Sequence, residues 1–285
     1  ILQALLVTFL WSTSWVFIKF GLADIPALTF AGLRYSLAFI CLLPFGLGSA
    51  SRARLRGLSK LDWLRLLGLG LLFYTVTQGA QFLGLTYLPA ITVNLLLSFS
   101  AVVVTLMGIY FLKEFPIIFQ WGGMGLYLVG AVIFFYPATF PTAQLFGLIV
   151  VIVGVLANAG SAVLGRAVNR HGDLPPLTVT LVSMGLGAFT LLAIGLIVEG
   201  IPRLNWLNWA TIIWLAVVNT AFAFTLWNRT LQVLSALESS IINNTMMIQI
   251  PVLALIFLGE RIGWREGIGM VLAGVGIAVV QLWRR

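Results

Sequence analysis

The sequence predicts an all-α integral membrane protein with ten transmembrane helices arranged as two inverted five-helix repeats. Three observations lead there. First, 61% of the 285 residues are hydrophobic, 8% are charged and the mean hydropathy is +1.08, whereas a soluble domain draws its shell from roughly 25% charged residues. Second, the apolar residues fall into runs of about 20 residues without apolar/polar alternation, which suits helices crossing a hydrocarbon core and not barrel strands. Third, the two halves resemble each other. A shift of 146 residues places Glu114 on Glu260, Ala90 on Ala236, Phe111 on Phe257, Gly123 on Gly269, Met124 on Met270 and Gly130 on Gly276. The Glu pair weighs most, because the chain holds only eight acidic residues. Five spans per half is an odd number, so the second half must lie upside down relative to the first, as in secondary transporters.

Pro, Gly and charge clusters bound the spans at 1–21, 28–48, 63–85, 90–112, 118–136, 144–168, 177–198, 208–232, 236–258 and 264–283. The repeats correspond to residues 1–137 and 143–285. Residues 1–20 lack a small-x-small cleavage site after a basic segment, so they read as a retained span and not a signal peptide. With Ile in place of Met at position 1, a short preceding piece is expected.

Taken in order, the spans carry these candidate groups. The first places Trp11 and Trp15 on one face and ends near Lys19. The second contains Arg34. The third holds Tyr74, Gln78 and Gln81 at i, i+4 and i+7, with Phe73 and Phe82 beside them. The fourth holds Asn94, Ser98 and Thr105. Gly122, Gly123, Gly125 and Gly130 in the fifth span, and Gly267, Gly269, Gly274 and Gly276 in the tenth, permit close helix contact, a structural role. Phe222, Phe224 and Trp227 lie in the eighth span. The ninth carries Ser240, Asn243, Asn244, Thr245 and Gln249, with Pro251 at its middle. Pro251 removes one backbone hydrogen bond and crowds the carbonyl of Met247, a kink that would serve either as a fixed bend or as a hinge.

Polar groups of this kind turn away from lipid. Taken singly, each is explained by interhelical hydrogen bonding. Together, amide-rich stripes on three spans, with Ser98 and Asn244 equivalent under the repeat, point to a shared polar cavity with aromatic walls, suited to amphipathic small molecules. The expected substrate-binding set is Trp15, Tyr74, Gln78, Gln81, Asn94, Ser98, Trp227, Asn243 and Asn244.

Lys and Arg set the orientation. With the N-terminus cytoplasmic, Arg52, Arg54, Arg56, Lys60, Arg65, Lys113, Arg166, Arg170, Arg229, Arg284 and Arg285 lie inside, against Lys19, Arg203, Arg261 and Arg265 outside. That bias places both termini in the cytoplasm. Trp63, Trp121, Trp206, Trp209, Trp264 and Trp283 fall at span ends, as interface anchors do. The net charge of +8 follows from this clustering and does not form a nucleic-acid-binding stripe.

Enzyme chemistry finds no foothold. One histidine (His171) and one cysteine (Cys41) are too few for a zinc site, no disulfide can form, and no phosphate-binding Gly-rich loop is present. No catalytic residue, metal or cofactor is expected. Asp24, Asp62, Glu114, Asp173, Glu199, Glu238, Glu260 and Glu266 all fall near span ends or in loops. The absence of a midplane carboxylate argues against the proton/cation exchange of multidrug antiporters.

The stretch WSTSWVFIKFGLADIPALTFAGLR, from Trp11 to Arg34, resembles the opening of EamA-type carriers of the drug/metabolite transporter superfamily. GLTYLPAITVNLLLSFSAVVVTLMGIYFLKE, ending at Glu114, resembles the end of that family's first repeat. LSALESSIINNTMMIQIPVLALIFLGERIGWREGIGMVLAGVGIA resembles the corresponding part of the second. Within the superfamily the resemblance is nearest to YddG-like amino-acid exporters. It implies ten helices in two inverted repeats, cytoplasmic termini and a multi-pass place in a bacterial inner membrane. It also implies a central cavity lined by the first, third, fourth, sixth, eighth and ninth helices, and export of amino acids and related metabolites. Ala162–Arg166, at the opening of the second repeat, lacks the aromatic–Lys pattern of the first.

The expected function is therefore alternating-access export of amino acids, aromatic and other neutral ones among them, down their gradient and without coupling. The expected partners are the small-molecule substrate and the lipid bilayer, with the protein a monomer or a homodimer. Three alternatives stay open: a proton-coupled multidrug exporter of the same fold, a phosphate-ester carrier, and a non-transporting membrane scaffold or receptor. The phosphate-ester carrier would need more cavity cations than Lys19 and Arg34.

Overall fold

The computed structural model describes residues 1–46, 48, 53, 55–112, 117–136, 141–170, 175–230, 242–243 and 245–282. Apolar runs become helices because a backbone surrounded by lipid must satisfy its own hydrogen bonds. Among the described residues there are ten long helical segments. They are α1 (Leu2–Gly21), α2 (Ala27–Gly46) and α3 (Lys60–Tyr87); α4 (Ala90–Ser98, Ser100–Met107 and a π turn at Gly108–Leu112); and α5 (Ile118–Phe135), α6 (Thr142–Arg170) and α7 (Pro176–Val198). They continue with α8 (Trp206–Ala216, Val217–Phe222 and Ala223–Thr230), α9 (Met246–Phe257) and α10 (Trp264–Leu282).

Eight of these segments are long and apolar enough to cross a bilayer. The third starts three residues before the expected position, because Ser59 and Asp62 form a capping box that satisfies the first turn. Most of the ninth expected span before Thr245 lies outside the described residues, so α9 is the shorter apolar helix.

The polarity is that of a membrane protein. Leu128, Val132, Ile149, Ile152, Leu156, Ile213, Trp214, Ile248 and Ile256 are exposed, while Thr8, Ser12, Arg34, Gln78, Asn94, Asn219 and Thr220 are buried. Lipid tolerates the first group and penalises the second, so the polar groups face inward. The chain is an all-α, multi-span membrane protein.

Several helix pairings recur when the halves are exchanged, although the packing of α2 on α3 has no counterpart between α7 and α8 among the described residues. Helix α1 packs on α8 and α9, as α6 packs on α3 and α4; α2 packs on α8 as α7 packs on α3. The pairs α2–α7, α4–α9 and α5–α10 map onto themselves. Small residues bring the self-paired helices close. A Cβ added to Gly130 would lie 2.5 Å from the Ala273 nitrogen, and one on Gly276 would lie 2.5 Å from the Tyr127 nitrogen. Across α2–α7, a Cβ on Gly32 would meet the Leu192 Cα at 2.5 Å. The glycines of the fifth and tenth spans thus divide: Gly130, Gly269 and Gly276 pack within the chain, whereas Gly122 and Gly125 face open space.

Three π segments among the described residues were not visible in the sequence, and two of them correspond to each other. Leu71–Thr77 interrupts α3 and Val217–Phe222 interrupts α8, and both begin at positions that the 146-residue shift superposes. Each is supported by a threonine that reaches back five residues. Thr77 Oγ1 donates to the Leu72 carbonyl and Thr220 Oγ1 donates to the Leu215 carbonyl, both at 2.8 Å. Such a turn widens the helix and re-aims the side chains it carries.

Candidate functional site

The π turn of α3 aims Tyr74 inward, and Gln78 follows one turn on; both are buried. The Tyr35 hydroxyl of α2 donates to Gln78 Oε1 at 2.6 Å. The Tyr35 ring lies edge-on to Tyr74, 5.6 Å between centroids, and Tyr74 meets Phe73 in turn at 4.9 Å. Beside them sits Arg34, only 4% exposed. Its Nε donates to Thr220 Oγ1 at 3.0 Å, joining α2 to the π turn of α8. Its guanidinium carbon lies 5.1 Å from the Tyr35 ring centre and 6.0 Å from that of Phe82, within cation–π range. Phe30 closes this side, with its ring 5.2 Å from Phe82.

Asn94 of α4 is buried. Ser98 does not meet it side chain to side chain; its hydroxyl donates to the Asn94 backbone carbonyl at 2.9 Å, within the same helix. Among the described residues, nothing bonds the Asn94 amide or the Gln78 amide nitrogen. Gln81 is half-buried. Trp15 is buried in the apolar core. Trp227 belongs to a second aromatic group with Trp11 and Phe224, the Trp11–Trp227 and Trp11–Phe224 ring centres lying 5.3 Å and 5.5 Å apart. Phe222 is exposed and forms no part of that wall. Asn243 is exposed, and Asn244 lies outside the described residues. The structure thus brings together Tyr74 and Gln78 from the expected set, and adds Arg34, Tyr35 and Thr220 to them.

A second polar group fastens α1 to α9. Ser12 Oγ donates to Gln249 Oε1 at 2.9 Å, Gln249 Nε2 donates to Thr245 Oγ1 at 2.9 Å, and Thr8 lies 3.4 Å from Thr245. Asn219 joins α8 to α1 by donating to the Leu10 carbonyl and, at 3.2 Å, to Thr13 Oγ1; its own Oδ1 is buried without a partner among the described residues. The bonds of Gln249 are met within the helix interface, so this group reads as interhelical cohesion. Pro251 is buried within α9, which continues helically on both sides of it.

The charged groups at helix ends do local work. Glu199, just past α7, accepts from the Leu28 and Thr29 amides at 2.9 and 2.8 Å and from the Thr29 hydroxyl at 2.9 Å, capping the N-terminus of α2. Glu260, just past α9, does the same for α4, accepting from the Ala90 and Ile91 amides at 2.6 and 3.0 Å. A carboxylate suits these sites because the first amides of a helix lack partners and carry partial positive charge. Lys19 Nζ donates to the Leu85 and Leu88 carbonyls, 2.7 Å from the latter, at the C-terminus of α3. Asp24, Asp62, Glu199, Glu260 and Glu266 all lie in turns or at helix ends; Glu114, Asp173 and Glu238 lie outside the described residues. Among the described residues the interior therefore offers hydroxyls, amides and one guanidinium, a set that can orient a polar molecule by hydrogen bonding but holds no acid–base pair.

Residues 1–136 and 145–282 match the EamA-like transporter family. The chain belongs to that family. An EamA-like protein is a transporter of the drug/metabolite superfamily and not an enzyme. This EamA-like chain is 26% identical over 279 residues to the Bacillus subtilis (strain 168) protein described as uncharacterized transporter YoaV, covering 95% of this chain and 92% of that one. It is 25% identical over 278 residues to an uncharacterized transporter of Archaeoglobus fulgidus, covering 95% and 93%. A solved structure titled "Crystal structure of protein" shares the fold of this EamA-like chain with a TM-score of 0.61 at 17% identity, covering 98% of this chain and 97% of that one.

Proposed function

We propose that this chain is an alternating-access exporter of amino acids and related neutral metabolites, of the YddG-like kind, working down a gradient without a coupled proton. The observation that carries the reading is the buried group of Tyr35, Tyr74 and Gln78, with the Gln78 amide nitrogen unbonded among the described residues and aromatic rings beside it. A free amide nitrogen and the tyrosine hydroxyls suit the polar end of a zwitterion, and the rings suit its side chain. Carboxylates confined to helix ends among the described residues support uncoupled transport, because a proton/cation antiporter uses a carboxylate at substrate depth.

The moving parts are two inverted repeats, residues 1–137 and 143–285, each of five helices. The helix pairings that recur on exchange of the halves and the π turns 146 residues apart support this arrangement. Rocking of one repeat against the other would open the chamber to one face at a time. Both termini are cytoplasmic, from the Lys/Arg bias, in a bacterial inner membrane. The reading keeps the rest of the expected binding set, Trp15, Gln81, Ser98, Trp227, Asn243 and Asn244, as proposed substrate contacts.

The test is flux from proteoliposomes holding the purified protein, against a panel of labelled amino acids, with and without an imposed pH gradient. Downhill flux of neutral amino acids that ignores the pH gradient is expected. Flux that only a pH gradient drives identifies a proton-coupled exporter instead, and no flux above protein-free liposomes for any substrate removes the carrier reading.

A further inference from the structure

Arg34 stands out in the interior. A guanidinium has five N–H donors and no acceptor. Here one of them, on Nε, meets Thr220, and two rings flank the plane. The terminal amino groups find no acceptor, and no carboxylate faces them, among the described residues. Helix rise puts the Arg34 backbone about 10 Å from the start of α2, and Thr220 about 20 Å from the start of α8. The guanidinium between them therefore lies near the middle of a hydrocarbon core about 30 Å thick. An arginine held there with four N–H groups that no described residue bonds is costly, and intramembrane cations of this kind face a pathway and pair with something. A tie between α2 and α8 would need only the Nε–Thr220 bond, which a neutral side chain could make without bringing a charge inside.

We propose that Arg34 is the anchor for a substrate carboxylate, which its two terminal amino groups bind as a fork beside Tyr35, Tyr74 and Gln78. A planar carboxylate fits a guanidinium with two parallel N–H···O bonds, and the flanking rings hold the fork in plane. The inference deepens the exporter reading and rests on it for the identity of the cargo. It narrows the class to molecules with one carboxylate near an apolar or aromatic body. The ammonium of a zwitterion then falls to the neutral hydroxyls and amides, and amines lacking a carboxylate are poor substrates.

The experiment is thermal unfolding of the purified full chain in detergent with phenylalanine, 3-phenylpropionate, phenylalaninamide or sodium chloride, followed by proteoliposome flux of the same compounds. The two carboxylates are expected to raise the unfolding midpoint of the wild type in a saturable way, with the amide binding at least about tenfold more weakly. Arg34→Gln is expected to weaken the carboxylates at least about thirtyfold, and Arg34→Lys, which keeps charge but loses the fork, to fall between. Equal stabilisation by acid and amide, no stabilisation by either carboxylate, or an equal effect of chloride would overturn the assignment. The wild-type comparison needs no variant, so poor folding of Arg34→Gln leaves it decisive. Binding is read without transport: acid-selective binding without flux overturns the exporter and keeps the anion site, whereas flux indifferent to the carboxylate overturns only the role of Arg34.

Discussion

Gln78 accepts from the Tyr35 hydroxyl while its own amide nitrogen stays unbonded among the described residues. In Gln78→Leu the hydrogen bond and the free donor both go while the volume is nearly kept. Amino-acid flux in proteoliposomes is expected to fall about tenfold, one hydrogen bond's worth, with the protein still folded. Glu260 makes the opposite case. Its carboxylate caps α4 from outside that helix, so Glu260→Ala is expected to lower unfolding stability by about 1–2 kcal/mol, read by thermal unfolding in detergent, and an unchanged midpoint would show that the cap is idle. At this scale the sequence is half legible. The i, i+4 spacing of Tyr74 and Gln78 announces an inward stripe, because a costly polar group can only turn from lipid. The partners Tyr35, 43 residues away, and Thr220, 186 residues from Arg34, are fixed by packing that no local spacing encodes. Glu199 and Glu260 look alike as acidic span ends, and only the fold shows which helix each one caps.

Among elements, the self-paired helices set the tightest constraint. A side chain at Gly130 would enter the backbone of α10 within 2.5 Å. Gly130→Leu is expected to destabilise the protein by about 1–3 kcal/mol or more, seen as a lower unfolding midpoint. Gly122→Leu, which meets nothing within 4 Å, should leave the midpoint unchanged. Pro251 lies buried in α9, where it withholds the amide that would bond Met247. Pro251→Ala is expected to slow transport while leaving substrate affinity in place; an unchanged rate would leave the residue as a fixed bend. The spans themselves were readable because bilayer thickness dictates run length. The π turns were not, since a π turn differs from its α neighbours by one residue in the hydrogen-bond register and has no composition of its own. The break in α4 falls at Phe99, between Ser98 and Ser100.

For the whole molecule, an apolar exterior and a polar interior describe a membrane body, and the helix pairings that recur on exchange of the halves fit the proposed motion about a shared centre. The odd number of spans proposed for each half, suggested by laying Glu114 on Glu260, would make that motion reverse access and not merely loosen it. Membership in the EamA-like transporters gives the class of activity; the interior chemistry points to the cargo. A carrier that reorients a single chamber differs from a pore or a scaffold in one respect that can be measured directly: counterflow. Proteoliposomes preloaded with unlabelled phenylalanine and diluted into a trace of labelled phenylalanine are predicted to accumulate label transiently above its equilibrium level, with no ion gradient imposed. Label that only equilibrates, or enters no faster than into protein-free liposomes, would contradict an alternating chamber at the centre of this fold.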